Sequence, residues 1–300
     1  MTSPQFDAIR RFLAANPTPP GIPLADIRAA AEMLAAQTPL LPGIYVEELT
    51  IPAPAGHAIP ALLLAPEAGR DARVMLYLHG GGYVQGSPLT HRDLASRLAL
   101  GCGLRVLLID YRLAPEHPFP AAVQDAAAAY RWLLAGGIAP RSLVVAGDSA
   151  GGGLSLALLL ALRDANEPLP ACGVLLSPWT DLALTGASLH ANGPADVSLT
   201  LPQLTEYAAW YLGEAAATTP LASPLYAELG GLPPLFLQVG TAEILLDDAR
   251  RLETAVRAAG GDITCDEWPE MFHGWQGFAG LMPEAVEALA RVGAFVHGQL

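Results

Sequence analysis

Leu143-Val144-Val145-Ala146-Gly147-Asp148-Ser149-Ala150-Gly151-Gly152 reads as a strand, a tight turn and the opening of a helix. The run from Leu143 to Ala146 is apolar without alternation, as in a strand buried on both faces. Gly and Ser are common, so Gly-x-Ser-x-Gly alone says little; its position between a strand and a helix gives it weight. Such a turn pushes the serine hydroxyl into the open, and the flanking glycines leave room for the neighbouring strand and helix. The helix that follows aims its N-terminus at Ser149, where its dipole favours negative charge. Ser149 is therefore the candidate nucleophile.

Working outward, apolar runs of the same kind lie at 74–78, 105–109, 172–176, 235–239 and 263–268. Helical patterns lie between them at 92–100, 121–134, 152–165, 247–259 and 283–297. Strand and helix in alternation predict an α/β fold with a mostly parallel sheet and helices on both faces. An earlier pair, 44–51 and 57–64, reads as antiparallel edge strands joined at 52–56, making eight strands in all. Two segments fall outside the alternation. Residues 1–40 hold two amphipathic helices, with Phe6, Ile9 and Leu13 on one and Ile27, Ala30, Met33 and Leu34 on the other. Residues 183–215 carry Leu201, Leu204, Tyr207, Trp210 and Tyr211 at near-helical spacing and are long for a plain connection. Together they are expected to form a helical cap over a core made of 41–182 and 216–300.

Composition narrows the function. Of 300 residues, 52% are hydrophobic and 15% charged, ample for a large core. The net charge is −13 and every basic residue is Arg, so a phosphate backbone would be repelled and no nucleic-acid partner is expected. The longest apolar stretch, 154–162, is too short to span a bilayer. Asp7, Arg10 and Arg11 interrupt any secretory signal at the start. Three scattered cysteines, Cys102, Cys172 and Cys265, suggest neither a disulfide framework nor a zinc site and fit a reducing cytoplasm. No His, Asp or Glu cluster has metal-ligand spacing, and no Gly-x-Gly-x-x-Gly follows the first strand. No metal and no cofactor are expected; a homodimer is allowed.

His79-Gly80-Gly81-Gly82-Tyr83 follows the run at 74–78. Consecutive glycines let backbone N–H groups converge on a developing oxyanion. Gly81, Gly82 and Ala150, the residue after the nucleophile, are the expected donors. The base should be a histidine beyond Ser149. His190 falls in the cap and His297 on the last helix, whereas His273 lies in a loop between the final strand and final helix, where a positioned base belongs. The acid should follow the run at 235–239: Glu243 is favoured, with Asp247 second, because Asp247 and Asp248 read as the cap and first turn of the next helix. Arg112 and Glu116, in the proline-rich stretch 110–120, are expected to pair with each other; His117, His57 and His91 carry no expected chemistry. Tyr83, Asp148, Trp179, Tyr207 and Tyr211 are candidates for the substrate pocket.

In order along the chain, His79–Tyr83, residues 110–120, Gly147–Gly153, Ser177-Pro178-Trp179-Thr180-Asp181, Ser223-Pro224-Leu225 with Gly231-Leu232-Pro233-Pro234, and His273 resemble the hormone-sensitive-lipase group of bacterial esterases in the α/β-hydrolase superfamily. The resemblance spans residues 40–300. It implies a serine carboxylic ester hydrolase that acts on short-chain acyl esters through an acyl-enzyme. Carried over by position, Ser149 is nucleophile, His273 base, and Gly81, Gly82 and Ala150 oxyanion donors. Many members carry Asp-Pro-Leu where this chain has Glu243-Ile244-Leu245, so the acid here has the longer side chain. The same groups would serve a lactonase or an amide or acetyl deacylase. A non-catalytic ligand-binding homologue lacks the base that stands here.

Overall fold

The computed structural model describes residues 2–17, 19, 21–53, 56–67 and 72–300. Among these, eight strands form one sheet in the order β1-β2-β4-β3-β5-β6-β7-β8. They are β1 (Ile44–Pro52), β2 (Ala58–Pro66), β3 (Val74–Leu78), β4 (Arg105–Ile109), β5 (Leu143–Asp148), β6 (Cys172–Leu176), β7 (Leu235–Gly240) and β8 (Ile263–Trp268). β1 and β2 pair antiparallel at one edge, β2 runs antiparallel to β4, and the remaining pairs are parallel. The turn expected at 52–56 includes Pro54 and Ala55, which lie outside the described residues.

The helices are α1 (Pro4–Ala15), α2 (Leu24–Gln37), α3 (Arg92–Cys102), α4 (Ala121–Ala135), α5 (Ala150–Asp164), α6 (Ser188–Ala191), α7 (Leu201–Leu212), α8 (Leu246–Ala258) and α9 (Pro283–Gln299). The unbroken apolar strands bury both faces, and alternate side chains feed different cores. Leu76, Leu78, Leu143 and Val145 join the layer that holds α4, α5, α7 and α8. Met75, Tyr77, Val144 and Ala146 join the layer that holds α1, α3 and α9. No helix among the described residues is long and apolar enough to cross a membrane.

The two segments outside the alternation are seated differently. Phe6 of α1 is fully buried, stacks on Phe272 at 6.0 Å, and joins the α3–α9 layer; Ile9 and Leu13 pack beside it. α2 departs from the expected apolar contact, since Met33 and Leu34 are 65% and 70% exposed. Besides Leu24, half-buried against the core, α2 is tied to the body by Arg28, which donates to the Val84 and Ala114 carbonyls and to both carboxylate oxygens of Glu116. α7 buries Leu204, Tyr207 and Tyr211 and begins with a reciprocal cap between Thr200 and Gln203.

Candidate active site

The turn between β5 and α5 has the strained form that the sequence implies. Ser149 sits at φ 53°, ψ −121°, a region most side chains avoid. The surroundings hold it there: Ser149 N–H donates to Leu176 O at 2.8 Å, and Ser149 O accepts from Trp179 N–H at 2.9 Å and Gly153 N–H at 3.1 Å. Gly151 is required by packing, since a Cβ there would run into the carbonyl of Leu78 on β3.

His273 lies in the β8–α9 loop with its Nε2 2.9 Å from Ser149 Oγ. Its Nδ1 is 2.8 Å from Glu243 Oε2. Glu243 is fully buried, and its other oxygen accepts from Ser177 Oγ at 2.7 Å and Gly240 N–H at 2.6 Å. Burial raises the Glu243 pKa, against the opposing pull of the His273 ring. For His273, burial disfavours the charged ring. The hydrogen bond and charge of Glu243, with Asp196 and Asp148 beyond, outweigh it and raise the pKa above 6.5. Asp247 is committed elsewhere, accepting from Ser188 N–H at 2.9 Å. His117, His190 and His297 are exposed. Ser177 was legible only as part of a family motif; its position against Glu243 comes from a turn at φ 47° after β6.

The glycine loop after β3 lies beside this trio. Among the described residues, none accepts a hydrogen bond from the N–H of Gly81, Gly82 or Ala150. Asp148 anchors the loop, accepting from Gly80 N–H at 3.0 Å and Tyr77 OH at 2.8 Å, with His91 Nε2 at 3.4 Å. Its oxygens are thus turned to the loop's support. Gly82 has φ 63°, and the Tyr207 ring fills the space that a Cβ would need. Tyr83 stacks on Tyr211 at 3.7 Å, and its ring lies 6.1 Å from Trp179. Tyr83, Trp179 and Tyr211 thus form one buried aromatic cluster between the loop and α7, and Tyr207 stands apart from it, against Gly82 and Trp210.

One expected pairing resolves otherwise. Arg112 binds Asp125, a carboxylate 1% exposed, rather than Glu116, which binds Arg28. His57 also bonds Asp125, at 2.7 Å.

A strained serine at the carboxyl end of a parallel sheet, an imidazole on its hydroxyl and free amides alongside define a hydrolase of this fold. The sequence model of a family described by its alpha/beta hydrolase fold matches residues 75–277. An acetyl-hydrolase from Streptomyces hygroscopicus is 50% identical over 77% of this chain and 77% of that protein. A crystal structure of an esterase from the bacterial hormone-sensitive lipase family has 47% identity and a TM-score of 0.94, over 100% of this chain and 99% of the other. The esterase EstE5, crystallised and soaked with p-nitrophenyl butyrate, has 41% identity and a TM-score of 0.93 over 99% of both chains. The chain belongs to the bacterial hormone-sensitive-lipase family of the alpha/beta hydrolases and is a serine ester hydrolase.

Proposed function

We propose that the protein is a carboxylesterase for short-chain acyl esters in which Ser149, His273 and Glu243 form the catalytic triad and Gly81, Gly82 and Ala150 donate to the oxyanion. The single observation that carries this reading is the continuous chain Ser149 Oγ–His273 Nε2, 2.9 Å, and His273 Nδ1–Glu243 Oε2, 2.8 Å. In the first half-reaction, His273 Nε2 takes the hydroxyl proton as Ser149 Oγ attacks the ester carbonyl carbon. The carbonyl oxygen becomes an oxyanion between the backbone N–H groups. Collapse breaks the C–O bond, and His273 returns its proton to the leaving alcohol. In the second half, water gives a proton to His273 and its oxygen attacks the acyl carbon. Ser149 then leaves with that proton. Glu243 holds the ring tautomer and stabilises the imidazolium without taking the proton itself.

The short acyl limit is supported by Tyr207 lying against Gly82, which narrows the space beside the oxyanion donors. The acetyl-hydrolase relative favours acetyl as one of the groups removed. The cap belongs to the same proposal: residues 183–215 supply Tyr207 and Tyr211, and 1–40 reach the oxyanion loop through Arg28 at Val84 O. Cytoplasmic location and a homodimer also stand as parts of it, tested by cell fractionation and light scattering. Ser149→Ala should lower kcat by roughly 10⁴ or more. A p-nitrophenyl ester series should peak at acetyl to butyryl. Undiminished hydrolysis by Ser149→Ala would refute the nucleophile, and a maximum at long acyl chains would refute the pocket.

A further inference from the structure

We propose that Asn192 and Asp196, in the segment after α6, are positioning residues that clamp the loops carrying the acid and the base of the triad. Glu243 and His273 sit on irregular backbone after β7 and β8, where Thr241 N–H on Trp268 O at 2.8 Å and Ala242 N–H on Met271 O at 3.1 Å join the two loops but leave the Ile244 and His273 N–H to side chains. The insert fixes them with side chains. Asn192 Nδ2 donates to Thr241 O at 3.0 Å and to Glu243 O at 2.7 Å. Asp196 Oδ2 accepts from Ile244 N–H at 3.0 Å, and its Oδ1 from His273 N–H at 3.4 Å. The Glu243–Ile244 peptide unit is therefore held at both its C=O and its N–H from the insert, and the Thr241–Ala242 unit at its C=O. The peptide N–H of the base is held by the same carboxylate. Ser188 extends the seam, donating to Ile244 O at 2.7 Å and accepting from Asp247 N–H at 3.0 Å.

A carboxylate that merely closed its own turn would need only the bonds from Ser198 and Leu199 N–H, at 3.1 and 3.3 Å. Those account for two of the four bonds that Asp196 accepts. The other two reach across 48 and 77 residues to the two loops that must meet over Ser149. Asp196 is only 6% exposed, so its charge is weakly screened where it faces His273. The groups whose charge acts on His273 are Glu243 from the β7–α8 loop, Asp196 from the insert and Asp148 from the end of β5. Asp148 is itself engaged by Tyr77, Gly80 and His91. Asp196 thus acts twice: its bonds set where the ring and the carboxylate stand, and its charge favours the imidazolium that forms during attack.

The inference rests on the triad reading, and the test separates the two. Full-length Asp196→Asn and Asn192→Ala are assayed with p-nitrophenyl acetate beside Ser149→Ala. Each clamp variant should lose about 10- to 100-fold in kcat, the scale expected when reacting groups are displaced by a fraction of an ångström to an ångström, with KM changed by less than about 3-fold. Asp196→Asn should also move the acid limb of the kcat–pH profile to lower pH, because a negative charge facing the imidazolium is gone. Asn192→Ala, which alters no charge, should leave that limb in place. Native kcat and an unmoved acid limb in Asp196→Asn would overturn the clamp. Should Asp196→Asn fail to fold by circular dichroism, Asn192→Ala decides: reduced kcat at constant KM supports the proposal and native kcat overturns it. Full activity in Ser149→Ala removes the triad reading underneath.

Discussion

Glu243 does more at this site than hold a proton in place. Its charge and hydrogen bond overcome the burial of His273 and keep the ring's pKa above 6.5. The base must be neutral to act, so kcat/KM should fall as pH drops through that raised value, and the half-point should lie above 6.5. Stopped assays from pH 5 to 9 on a neutral ester measure it, and full activity at pH 5 would contradict it. Glu243→Gln should lower the half-point and cut kcat by roughly 10³ to 10⁴, as expected when the tautomer is no longer enforced. Asp247→Asn should change kcat far less, because Asp247 binds Ser188 rather than the ring. In a second carboxylate, burial prevails over hydrogen bonds that oppose it. Asp248 is 1% exposed and accepts from Thr180 and Asp181 N–H at 2.7 and 2.8 Å, and burial pushes its pKa up to about 7. Asp248→Ala strands both amides and should cost about 2 to 3 kcal/mol by urea denaturation.

Among the elements, α1 and α2 are held by opposite means. α1 is fixed by an apolar anchor, Phe6 against Phe272, and by Ser3 on Glu284. α2 has no fully buried residue; Leu24 packs half-buried against the core, and the Arg28 fork supplies its polar anchor. Phe6→Ala should release α1 and expose Arg10 and Arg11 to trypsin many-fold faster, while Arg28→Ala should release α2; hydrogen exchange over 4–15 and 24–37 reads each. Protection unchanged in both would refute these anchors. The contrast explains what the sequence made legible. The strands were readable because a strand buried on both faces needs an unbroken apolar run, and Ser149 and His273 because each occupies a recognisable junction between strand and helix. α2 misled because its apolar positions obey helical period, yet period alone does not say whether a partner surface awaits them. Arg112, Glu116 and Arg28 were unreadable for a related reason. Which carboxylate a guanidinium takes is set by how α2, α4 and the loop after β4 pack, and no local spacing encodes that. The contact of Ser177 with Glu243 likewise joins residues 66 positions apart.

At the scale of the molecule, sixteen arginines set against twenty-nine carboxylates leave a strongly negative surface around a site built for neutral acyl groups. An ester that carries its own carboxylate should be repelled, so its kcat/KM should rise several-fold between about 20 mM and 500 mM salt. A neutral ester of the same length should stay flat, and equal salt responses would show that the surface charge does not reach the site. The groups proposed to react come from distant parts of the chain. Ser149 and His273 stand 124 positions apart in the chain, and Glu243 is 30 from His273. The hydroxyl sits at the middle of the sheet, whereas the ring hangs from the strand at its edge. On the proposed triad, a fragment or intermediate that lacks the last strand should show no turnover of ester. Recovery of turnover after dilution from denaturant therefore clocks the arrival of β8 rather than the collapse of the core.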